Sequence, residues 1–143
     1  MTSKDIANQD NAQECECKAE KVIFLPCSGA SNCGQIANQA AVKLTQEGLG
    51  NMYCLAGIGA HIEGMVESAR SADRLVILDG CPTACSKKTV EHAGLVVTDW
   101  LCVTHEGIDK VHGFDISAEE VALIAQRAKE ALLNTKASRT IGR

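Results

Sequence analysis

The fold is decided by residues 22–29, Val22-Ile23-Phe24-Leu25-Pro26-Cys27-Ser28-Gly29, and by two later stretches that repeat their pattern. Four consecutive apolar side chains closed by Pro, Ser and Gly predict a strand buried on both faces. From Gly34 to Glu47 the residues Ile36, Ala37, Ala40, Ala41 and Leu44 recur at helical spacing, and Gly48 supplies a stop. The unit returns at Asn51 to Leu55, which runs into the Gly-rich turn Ala56-Gly57-Ile58-Gly59-Ala60 and then a helix from His61 to Ala72. It returns again at Leu75-Val76-Ile77-Leu78, which breaks at Asp79-Gly80-Cys81-Pro82 into a helix ending at His92. A fourth strand is expected over Leu95 to Val103. The last helix opens on a capping box, Ser117 with Glu120, and continues through Val121, Ile124, Ala125, Ala128 and Leu132 on one face.

Alternating strands and helices with wholly apolar strands imply a parallel sheet covered by helices on both faces. The expected class is therefore α/β, a Rossmann-like three-layer sandwich with a mostly parallel sheet of four or more strands. With 143 residues the chain has room for one domain. That domain is placed at residues 21–134, between a polar N-terminal tail (1–20) that carries Cys15 and Cys17 and a frayed C-terminal tail (135–143).

Composition narrows the function classes. Fourteen Lys and Arg stand against eighteen Asp and Glu, a formal charge of −4, and no basic cluster exceeds Lys87-Lys88. A nucleic-acid partner needs a dense positive face, so none is expected. No apolar run approaches the roughly 18 residues of a membrane span, so no membrane partner is expected. The polar start MTSKDIANQDNAQE is unlike an export signal, so a cytoplasmic location is expected. There thiols stay reduced, and eight cysteines read as metal binding or thiol chemistry rather than as disulfides. Apolar helices rich in Gly and Ala leave a homodimer open.

In sheets of this kind ligands bind beyond the carboxyl ends of the strands. Cys27 leaves the first strand, Cys54 ends the second, and Cys81 leaves the third with Cys85 one helical turn further on. Pro82 suits a first helical position, so Cys81 and Cys85 are expected on one face of a helix whose positive end, aided by Lys87 and Lys88, favours thiolates. Four such sulfurs suit one tetrahedral zinc, and they suit an iron–sulfur cluster equally. The alternative for Cys54 is a small buried hydrophobe.

The strand and loop that lead to Cys27 also resemble low-molecular-weight phosphatases and their arsenate-reductase relatives. Those enzymes clamp an oxyanion with an arginine. No Arg precedes Arg70 here, so the clamp is missing. A thiol enzyme without the clamp, an oxidoreductase or sulfur-handling protein, stays open, with Cys27 as nucleophile and Cys81 or Cys85 resolving. Whether the protein is an enzyme at all is left undecided. The turn at Gly57 and Gly59 reads first as a tight turn and second as an anion cradle. Of the histidines, His61 is best placed to join the thiols. Asp79 and Ser28 are candidates to orient them. Cys102 reads as packing, and Cys33 is undecided.

Cys27-Ser-Gly-Ala-Ser-Asn with Gly34-Gln35, then Met52 to Ala60, then Asp79-Gly80-Cys81-Pro82 with Cys85-Ser86-Lys87-Lys88, resemble the DGC-domain family over residues 21–112. The family is described as zinc-binding, and the resemblance implies Cys27, Cys54, Cys81 and Cys85 as the metal ligands. It also implies an N-terminal cysteine cluster, to which Cys15 and Cys17 are similar. It supplies no reaction.

Overall fold

All five residues of β1 (Val22–Pro26) are buried because the strand is interior, paired in parallel with β2 (Asn51–Met52) on one side and β3 (Arg74–Asp79) on the other. A fourth strand, β4 (Asp99–Cys102), pairs in parallel with β3, giving the order β2-β1-β3-β4. This computed structural model describes residues 19–141, with side chains described through Asn134, so Cys15 and Cys17 lie outside the described residues. The helices are α1 (Asn32–Gln46), α2 (Leu55–Gly59), α3 (Glu63–Arg70), α4 (Cys85–His92) and α5 (Ala118–Ile141), and a single 3-10 turn spans Val103–Glu106.

The strand period of two divides the core. Val22, Phe24, Val76 and Leu78 pack with Ile36, Ala40 and Leu44 of α1 and with Ile124 and Ala128 of α5. Ile23, Leu25, Leu75 and Ile77 pack with Ile58 of α2, Val66 and Ala69 of α3, and Val90 of α4. Burying each Leu or Ile side chain contributes about 1.5–3 kcal/mol. The result is the three-layer α/β sandwich that the repeated apolar runs imply. Among the described residues no helix is long and apolar enough to cross a membrane.

Four local readings need correction. β2 stops at Met52, although Tyr53 N–H still donates to Phe24 O at 2.9 Å. The expected Gly-rich turn is the helix α2, with Cys54 as its N-cap residue, because Leu55 and Ile58 pack inward only in a helical register. β4 is confined to four residues of the expected nine, and its chain closes into the 3-10 turn at Val103. The fourth correction concerns α4. It begins at Cys85 rather than at Pro82, with Ala84 in the left-handed region at φ 55°. Cys81 and Cys85 are thus separated by a turn, closed by Ala84 N–H to Cys81 O at 3.1 Å, and do not share a helix face. The capping box is present: Glu120 N–H donates to Ser117 Oγ at 3.1 Å, and Ser117 N–H to the Glu120 carboxylate at 2.9 Å.

Candidate functional site

The chain turns outward in opposite directions after β1 and β3, toward β2 and toward β4, so the crevice between their carboxyl ends is the topological switch point. Cys27 leaves β1 on one side of it and Cys81 leaves β3 on the other. The six described cysteines sort by burial. Cys33 is fully buried and Cys102 is 2% exposed, while Cys27 and Cys81 are partly exposed and Cys54 and Cys85 are exposed. Cys33 is therefore a core residue, its thiol donating to Ile108 O at 3.8 Å. Cys102 is packing, as expected from its place in a strand. The four solvent-reachable thiols are the four on strand-end loops.

The loop after β1 is fixed by backbone contact. Gly29 has φ 44°, and a Cβ on either Gly29 or Gly34 would meet the other's backbone at 2.2–2.3 Å. Only glycine allows the loop to lie against the first turn of α1. Ser31 caps that turn by accepting Gly34 N–H at 3.3 Å, and the Gln35 amide donates to Gly29 O at 2.8 Å. Gly80 is held in the same way: a Cβ there would lie 2.6 Å from Gly34 N and 2.8 Å from Cys33 C.

Asp79 sets where α4 begins. It is 1% exposed, and its carboxylate accepts Ser86 N–H at 2.8 Å, Lys87 N–H at 3.1 Å and Trp100 Nε1–H at 3.0 Å. A strand-end carboxylate thus satisfies the open N–H groups of the helix that a local cap residue would otherwise take. That is why Cys85 lies at the positive end of α4 and Cys81 does not. The three residues Asp79-Gly80-Cys81 have separate tasks: one caps the helix, one allows the approach to α1, and one presents a thiol.

The charges are arranged differently from the sequence expectation. Lys87 lies 5.3 Å from the centroid of the Trp100 ring and 3.8 Å from Glu91. The cation at Cys81 is Lys110, whose Nζ donates to Sγ at 3.4 Å. Hydrogen bonds from Thr83 and the Lys110 ammonium hold the Cys81 thiol below its usual pKa. Burial pushes Cys27 up, against backbone N–H groups of Gly29 and Gly80 that favour its thiolate. Lys110 was missed because it sits far along the chain in a loop. Its position depends on Asn32, 5% exposed, whose amide donates to Asp109 O and accepts Val111 N–H, both at 2.8 Å.

Cys27 and Cys85 line one open cavity of about 400 Å³ with Ser28, Leu55, Gly59 and Thr89. Cys54 and Cys81 stand outside that cavity. His61 does not join the thiols and instead meets His92. The donor chemistry fits a thiophilic ion, since all four candidate ligands are accessible free thiols. Among the described residues, however, no three His, Cys, Asp or Glu side chains are gathered closely enough to hold an ion.

A parallel α/β sandwich with accessible thiols beyond its switch point defines a Rossmann-like domain. The chain belongs to the DGC domain family, whose profile matches residues 23–128. It is similar to the anaerobic and virulence modulator AnvM of Pseudomonas aeruginosa, with 37% identity over 98 residues, 68% of this chain and 75% of that protein. No solved structure matches.

Proposed function

We infer that the protein is a cytoplasmic, thiol-dependent metal-binding regulator that holds one zinc ion through Cys27, Cys54, Cys81 and Cys85. The observation that carries this reading is that, among the described cysteines, the four at the strand ends are those solvent reaches, while Cys33 and Cys102 are in the core. Bound zinc would act as a four-thiolate cross-link between three loops. Because the thiols are not gathered, ion binding is coupled to movement of those loops, a change that a partner could read. A relative named as a modulator supports regulation over metabolism.

Elemental analysis and a visible spectrum on protein purified without oxygen test the reading. One zinc per chain and no visible colour are expected, with metal lost equally in Cys54→Ser and Cys81→Ser. Stoichiometric metal in Cys54→Ser removes the quartet. A brown protein carrying iron replaces zinc with an iron–sulfur cluster on the same cysteines.

A second reading has its own observation, the cavity shared by Cys27 and Cys85. It makes these two thiols a redox pair, with Cys85 rather than Cys81 as the partner of Cys27. Oxidation by glutathione disulfide would join the two sulfurs, releasing two molecules of glutathione that carry the two protons and two electrons. Peptide mapping should then find a Cys27–Cys85 link that dithiothreitol reverses. If no reversible link to Cys27 forms in metal-free folded protein, this reading falls.

A further inference from the structure

Two histidines outside the thiol site meet at the end of α4 opposite Cys85. Nε2 of His61 lies 3.3 Å from Nδ1 of His92, the rings edge to face with centroids 5.3 Å apart, and both residues are exposed. His61 is brought there by an uncommon backbone. Its φ is 55°, in the left-handed region, and the turn is held by His61 N–H to Ile58 O at 3.0 Å and Ile62 N–H to Gly57 O at 3.1 Å.

The nitrogen separation is informative. That separation is within hydrogen-bond reach, the donor being set by the ring tautomers, and it is also one that two ligands of a single ion adopt. Two nitrogens on one tetrahedral zinc, each about 2.0–2.1 Å from it, are separated by roughly 3.3–3.4 Å. The pair has the span of two ligands on one ion. The geometry points to a second metal site, in which His61 Nε2 and His92 Nδ1 together bind a divalent transition-metal ion of the zinc class. His92 is the last residue of α4, where the carbonyl end of the helix favours a cation. Each neutral ring binds through one nitrogen and keeps its proton on the other, so no net proton release is required. Among the described residues no third His, Cys, Asp or Glu is close enough to join. Water fills the remaining positions and the ion exchanges readily. Imidazole nitrogen is a harder donor than thiolate, so this site and the cysteines differ in the metals they prefer.

The test is a zinc titration of the full chain, observed through the ring nitrogen resonances of the four histidines and continued past any amount the thiols take up. His61 and His92 are expected to shift together along one saturating curve while His105 and His112 stay in place. In His61→Asn, chosen because Asn tolerates the left-handed region, the His92 ring should no longer respond. In His92→Gln the His61 ring should no longer respond. Three outcomes overturn the site: neither ring moves, all four histidines move in parallel, or His92 binds unchanged in His61→Asn. The thiol reading is judged separately, from cobalt–thiolate absorption in the same variants, and either site can fail without the other.

Discussion

Arg74→Met is expected to lower the unfolding free energy by about 3–5 kcal/mol, a large part of what holds a domain of this size together. Arg74 is fully buried at the start of β3. Its guanidinium donates to both Asp99 oxygens, at 3.0 and 2.5 Å, and to Leu132 O at 3.0 Å, tying β3 to β4 and to α5. Removing the arginine leaves the Asp99 carboxylate, 11% exposed, without its counter-charge. Thr98 Oγ1, at 2.7 Å, is then a neutral donor facing a full charge. Urea unfolding should show a lower midpoint at unchanged slope. Replacing both partners, Arg74→Met with Asp99→Leu, should recover part of the loss, because no unpaired charge remains. A double variant as unstable as Arg74→Met would show that shape rather than charge pairing is at issue.

Gly34→Ala is expected to disrupt the site and to destabilise the fold without unfolding it. The new Cβ would lie 2.2 Å from Gly29 Cα and 3.0 Å from Gly29 C, both backbone atoms that cannot turn aside as a side chain can. Ordinary contact needs more than an ångström of extra separation, so the loop bearing Cys27 and Ser28 must lift from α1. Overpacking of this kind costs about 1–3 kcal/mol or more. The displaced loop also moves Cys27 away from Cys85. Metal content and the reversible Cys27–Cys85 link should both fall in protein that circular dichroism shows to be folded. Gly64→Ala is the control. Nothing lies within 4 Å of its added Cβ and it sits inside α3, so about 0.5–1 kcal/mol of added stability is expected. Unaltered thiol chemistry in Gly34→Ala would mean that the loop position does not matter to the site.

How legible the site was depends on which residues one considers. Cys27 and Cys81 could be placed from sequence because a buried parallel strand must end and its loop must emerge at one edge of the sheet. Asp79 stood out only as a neighbour of a thiol. Its task as the cap of α4 depends on Ser86, Lys87 and Trp100 lying within reach, and Trp100 is on another strand. The error at Cys81 and Cys85 has the same origin. Pro82 at a first helical position is a sound local expectation, but the Asp79 carboxylate fixes the helix start three residues later. Lys110 and the His61–His92 pair carried no sequence signal, since their partners are 29 and 31 residues away.

Periodicity and apolar run length, both local properties, determined the parallel α/β sandwich and the edge of its sheet at which the strand-end loops emerge. Cysteine positions relative to those runs marked Cys27, Cys54, Cys81 and Cys85 as strand-end candidates. The tertiary structure alone decided the helix cap at Asp79, the burial of Cys33 and of Arg74, and the pairing of Cys27 with Cys85 in one cavity. Each of these depends on distances between residues remote in the chain. Such distances are set by packing of layers, which hydrophobic pattern requires but does not specify in register or detail.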